Sequence, residues 1–147
     1  MVFWYIDFEA YHFDHKFYPK EICILKSDRT ICLNYYIKNP KDIENLPISK
    51  TIQHQLQRHH LSWKFGDISF EEAIQQIQEN VGSCAVYIKG YEKFCFLKEY
   101  IPNIFEVSTS PSFKTMNNCP TEGCDALHGK YCARRKVHEL RYLDYNK

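Results

Sequence analysis

Three strand-like runs within the first 38 residues constrain the fold of this chain more than any later feature. VFWYIDFEAY (2–11) is dense in aromatic and branched residues and reads as a central strand that ends at a carboxylate pair and gives way to a loop. KEICILKS (20–27) and TICLNYYIK (30–38) are two more such runs, joined at Asp28-Arg29, so the three segments predict an antiparallel meander. Pro40 and Pro47 then break the chain, and a helix is expected within 48–61. In ISFEEAIQQIQENV (68–81), Phe70, Ala73, Ile74, Ile77 and Val81 recur at helical spacing, with Ser69 placed to cap and Glu72 as its capping-box partner. CAVYIK (84–89) reads as a short buried strand, YEKFCFLKEYI (91–101) as a helix after Gly90, IFEVST (104–109) as a strand, and Ala133 to about Tyr145 as a last helix. The order β-β-β-α-α-β-α-β-α predicts an α/β domain in which helices pack on a mixed sheet.

At 147 residues, 44% apolar and 16% aromatic, the chain is expected to form one domain spanning 1–147 around a real core. No run approaches the ~18 apolar residues that span a bilayer, so no membrane partner is expected. Asp7 and Glu9 interrupt the place where a signal peptide would continue, which points to an intracellular protein, cytoplasmic or nuclear. Reduced cysteines are expected there. Cys23, Cys32, Cys84 and Cys95 lie in apolar runs and read as core.

The other three cysteines crowd with one histidine into CPTEGCDALHGKYC (119–132). Cys124, His128 and Cys132 are spaced by four, and Gly123 and Gly129 permit the chain to turn around an ion. Zinc takes four such ligands tetrahedrally, and a site closed by protein ligands is structural. A Cys-x-x-Cys redox motif is absent, and no oxyanion-hole signature accompanies a Cys-His nucleophile. Metal is the preferred reading.

Charge is uneven. Gly129–Lys147 carries six basic residues, among them Arg134, Arg135 and Lys136, against two acidic ones. SKTIQHQLQRHHLSWK (49–64) holds Lys50, Arg58 and Lys64 with three histidines and no acid. Either stretch could neutralise phosphates, and either could be an ordinary solvated helix face. Trp63, beside His60, could stack on a base, although packing against the core is the better reading for an aromatic near apolar runs.

IDFEAY (6–11) resembles the first motif of DEDD-type 3′–5′ exonucleases, in which Asp and Glu two residues apart hold divalent metal, and the element order is that of the RNase H-like fold. The resemblance implies Mg²⁺ or Mn²⁺ at Asp7 and Glu9. VYIKGYEKFCFL (86–97) matches the second motif in all but its carboxylate, which is Glu92, with Lys93 beside it as a competing counter-ion. At the last motif the expected acid five residues after His128 is Ala133.

KGYEK (89–93) and HGKYCARRKV (128–137) are together similar to the Maelstrom domain, an exonuclease-like domain of the piRNA pathway that has lost its catalytic acids and binds zinc through a Glu-Cys-His-Cys set. The resemblance implies Glu92, His128 and Cys132 as ligands, with Cys124 or Cys119 as the remaining cysteine. A local knuckle using Cys119 in place of Glu92 stays open. Unlike Maelstrom domains, this chain keeps Asp7 and Glu9.

Three functions follow as expectations. The first is a zinc-containing, catalytically degenerate domain that binds single-stranded RNA or a protein of an RNA-silencing pathway. The second is a surviving metal-dependent nuclease using Asp7, Glu9 and Glu92, with Asp125 standing in for the lost acid. The third is a structural or mobile-element-derived protein without a nucleic acid partner.

Overall fold

The computed structural model describes residues 2–40 and 42–107. The expected last helix and the whole 119–132 cluster lie outside the described residues. Five strands, β1 (Phe3–Phe13), β2 (Lys16–Lys26), β3 (Cys32–Tyr36), β4 (Ala85–Lys89) and β5 (Ile104–Val107), form one mixed sheet in the order β3-β2-β1-β4-β5. β2 runs antiparallel to both neighbours, while β1, β4 and β5 are mutually parallel. The helices are α1 (Lys50–His59), α2 (Phe70–Val81) and α3 (Tyr91–Leu97). None of them is long and apolar enough to cross a membrane.

β1 corrects the expectation that the first strand ends at its carboxylates. It continues to Phe13 and returns directly as β2 through a two-residue turn at Asp14-His15, both with positive φ (52° and 60°). Positive φ at both turn positions matches the right-handed twist of a hairpin. Asp-His lacks the glycine that would have marked the turn in the sequence. Pro19 sits where the β1–β2 register slips, opposite Ala10 while Glu21 is opposite Glu9; an irregularity tolerates a residue with no N–H.

The join to β3 is a turn in which Arg29 takes φ 66° and the Asp28 carboxylate accepts from Thr30 N–H at 3.0 Å and Thr30 Oγ1 at 2.6 Å. β3 is shorter than the apolar run, because Ile37 leaves it to bridge Ile68. Gly66 makes that crossing possible. Its φ is 143°, and a Cβ there would stand 2.3 Å from the Ile37 carbonyl oxygen.

Alternation along β1 divides the core. Trp4, Ile6, Phe8 and Ala10 face one side, where Ala73, Ile74, Ile77 and Val81 of α2 pack on them. Each large aliphatic group buried this way contributes about 1.5–3 kcal/mol. Ser69 caps α2 as its spacing predicts, its Oγ accepting from Glu72 N–H at 3.1 Å. On the opposite side Tyr5 joins Cys23, Leu25 and Val107, and further along Tyr11 joins Ile52 and Trp63. α3 is shorter than the expected 91–101 helix. It stops at Leu97, and Tyr100 and Ile101 both return N–H bonds to the Leu97 carbonyl, because Pro102 disfavours a helical residue before it. Cys95, read as core, is exposed on that helix, whereas Cys23 is buried.

Candidate functional site

In an open α/β sheet, ligands bind beyond the carboxyl ends of parallel strands at the point where the chain leaves neighbouring strands in opposite directions. Here that point lies between β1 and β4: β1 leads to β2 on one side, and β4 leads through α3 to β5 on the other. The β1–β4 ladder covers only Phe3↔Ala85 to Tyr5↔Tyr87. Beyond it β1 no longer pairs with β4, and Asp7, Phe8 and Glu9 lie on that stretch of β1.

Asp7 and Glu9 are almost fully buried, at 3% and 1% exposure, and as residues i and i+2 of β1 they share a face. β2 contributes a third carboxylate. Glu21 is directly opposite Glu9 and equally buried, and its Oε2 accepts from Asn34 Nδ2 at 3.0 Å. The sequence reading missed Glu21, since only the hairpin register brings it beside Glu9.

The counter-charge comes from α3. Lys93 Nζ donates to Asp7 Oδ1 at 2.9 Å and to the Phe8 carbonyl at 2.7 Å, and lies 5.1 Å from the Phe8 ring centroid. Once β4 has diverged, the ammonium thus takes both a strand carbonyl and a carboxylate. Gly90, at φ 106°, makes the turn that brings α3 to this place. Sequence adjacency suggested Lys93 as a counter-ion for Glu92; the structure gives it to Asp7. Glu92 is instead exposed and lines a groove of about 790 Å³ between α3 and the β1–β2 hairpin. Among the described residues, no three His, Cys, Asp or Glu side chains converge as metal ligands do.

No protein-family model and no curated protein matches this chain.

The remaining predicted contacts fall into two groups. Lys50, Arg58, His60 and Lys64 are all exposed, on α1 or just after it. Trp63 takes the packing reading and not the stacking one. It is 6% exposed, its Nε1 donates to the Ile43 carbonyl at 3.1 Å, and Tyr11 and Tyr18 meet its ring edge-on at 5.6 and 5.8 Å. A ring so enclosed offers no face to a base. Lys20 stands against that ring, fully buried, with Nζ donating to the Ile37 and Trp63 carbonyls at 2.5 and 2.7 Å. Burial lowers its pKa to about 8, and burial raises that of Tyr11, whose hydroxyl donates to the Leu61 carbonyl at 2.5 Å, to about 12. Cys119, Cys124, His128, Cys132, Arg134, Arg135 and Lys136 lie outside the described residues.

Proposed function

We propose that this is a catalytically degenerate, exonuclease-like domain of RNase H-like architecture that serves as an RNA-binding or protein-interaction module. Lys93 carries the reading. Two-metal phosphoryl transfer needs divalent ions ~3.5–4 Å apart beside the carboxylates, and at Asp7 that position belongs to an ammonium 2.9 Å away. A bound lysine neutralises one carboxylate but offers no open coordination site, so the residues present do not fit Mg²⁺ or Mn²⁺. Glu92, exposed on the groove side of α3, is separated from that work as well. The strand order, with β2 alone reversed, supports the RNase H-like reading.

The exposed cations Lys50, Arg58 and Lys64, with Arg134, Arg135 and Lys136 of the basic tail, are the proposed RNA-contacting residues, with His60 beside them. Zinc held by Cys124, His128, Cys132 and either Glu92 or Cys119 is the proposed structural cofactor. A place in small-RNA or transposon silencing is what the Maelstrom resemblance implies.

Labelled single-stranded RNA tests the reading directly. With Mg²⁺ or Mn²⁺ the wild type is expected to leave it intact and to bind it with an affinity that falls steeply as salt rises. Cleavage that disappears in both Asp7→Ala and Glu9→Ala would sink the degenerate reading and establish the nuclease. Metal analysis of wild type and Cys132→Ser protein, purified without added zinc, should give about one zinc per chain in the first and a loss in the second.

A further inference from the structure

β2 is flanked on both sides over only part of its length. Its register with β1 runs from Lys16 to Lys26, passing over Lys20 at the slip, but the ladder to β3 starts at Glu21↔Tyr36, and Ile37 N–H closes it with one 2.8 Å bond to the Lys20 carbonyl. From there back to Lys16 the outer edge has no neighbouring strand among the described residues. That edge borders the groove, which is lined by Lys16, Phe17, Tyr18, Pro19 and Lys20 in succession. Side chains of a strand alternate between faces. Lining residues that alternate between faces place the groove alongside the outer edge of the strand.

The register shows which groups point there. A two-residue turn makes Phe13↔Lys16 the hydrogen-bonded pair closing the hairpin, so Tyr11↔Tyr18 also bond inward and His12↔Phe17 turn their backbone groups outward. The β1 side verifies the phase. His12 N–H donates to Gln55 Oε1 at 2.8 Å and its carbonyl accepts from Gln55 Nε2 at 3.0 Å, so a glutamine amide stands in for a strand on that edge. On the opposite edge, Phe17 N–H and C=O are presented to the groove, and Pro19 can offer only a carbonyl. Across the groove stand Glu92 of α3, Glu99 in the turn that follows it and Glu71 of α2, and Phe70 and Phe96 make an aromatic floor with Phe17.

We infer that this edge accepts an extended peptide of a partner protein, added as a short strand outside β2. Both backbone bonds of one peptide residue pair with Phe17, an apolar side chain enters the aromatic floor, and a lysine or arginine faces Glu92 and Glu99. A single-stranded nucleic acid fits less well, since one wall is acidic and the open edge asks for amide partners. Pro19 limits the pairing, so the contact is short and the affinity modest. The inference rests on the interaction-module reading, for which it names the partner class.

A randomised library of peptides about ten residues long, displayed on phage and selected on the purified protein, supplies the probe. Phe17→Pro is the counter-selection: it removes the outward N–H and leaves the inward β1–β2 bonds untouched, while Phe17→Ala keeps the N–H and removes the ring. Enriched peptides should carry a basic residue near an apolar one and bind the wild type with a micromolar Kd in fluorescence anisotropy. Phe17→Pro should weaken them about tenfold, the scale of one lost backbone bond, and Glu99→Lys should weaken them too. N-methylation of alternate peptide amides should abolish binding in one phase and spare it in the other, a readout independent of any variant's folding.

No enrichment over Phe17→Pro, equal affinity for it, or indifference to N-methylation in both phases would overturn the inference. Displacement by oligouridylate at low salt would also overturn it, because the groove would then take nucleic acid. A failed RNA-binding assay leaves these outcomes unchanged, since the proposed RNA surface is built from other residues, on and after α1 and in the tail.

Discussion

Among the described residues, Lys93 and Lys20 are both tucked against this sheet, and they are held by different means. Lys93 meets a carboxylate: its ammonium bonds Asp7, and 24% of its side chain remains exposed. Lys20, with no exposure, is held by two carbonyls and the face of Trp63. A charge paired with a charge leaves its partner stranded when removed, whereas a charge held by dipoles can release its proton and stay where it is. The first arrangement makes the seating of α3 on β1 depend on an ion pair; the second makes stability depend on pH.

The sharpest break of that contrast is Lys93→Ala. It leaves the nearly buried Asp7 uncompensated, and unfolding by denaturant should show a loss of about 3 kcal/mol, at the low end for a buried pair because water still reaches part of Lys93. In an Asp7→Asn background the same substitution should cost only about 1 kcal/mol. Equal losses in both backgrounds would mean that the pair is not what holds α3 to β1.

Lys20 predicts a smaller effect with a distinct pH signature. Its folded pKa of about 8 lies below the 10.5 of an ordinary lysine. Between those values the unfolded chain holds a proton that the folded chain has released, so raising the pH strips protons from the unfolded state and stability rises. The gain from pH 8 to pH 10 should be on the order of 2 kcal/mol. Above pH 10 the trend should reverse, because Tyr11 keeps its proton to about 12 in the fold and loses it earlier when unfolded. Lys20→Met should abolish the rise while leaving the fall, as read from denaturation midpoints across the series.

The smallest effect sets the scale for a site with no buried charge. Ser69→Ala removes the cap of α2 and should cost about 1 kcal/mol at any pH between 6 and 10. A pH-dependent cap would show that the Lys20 signature is not specific to buried lysine.

Legibility in the sequence followed the range of the interactions. α2 was readable to its first residue because its apolar period and its Ser69 cap are local. The hairpin was not, since Asp14-His15 adopts a turn usually announced by glycine, and the slip in register beside Pro19 depends on how β2 pairs with β1. Asp7 and Glu9 were found from i, i+2 spacing, which the strand preserves. Glu21 and the destination of Lys93 were invisible, because the first depends on strand register and the second on a contact 86 residues away.

By itself, then, the sequence determined the α/β class, the apolar faces and the carboxylate pair, all carried by periodicities of two and 3.6 residues that any local stretch expresses. Only the tertiary structure decided that β1 outruns its pairing with β4, that an ammonium meets Asp7, and that β2 keeps part of an edge beyond the reach of β3. These depend on where strands stop pairing. That limit is set by the competition of distant segments for the same backbone groups, which no short stretch encodes.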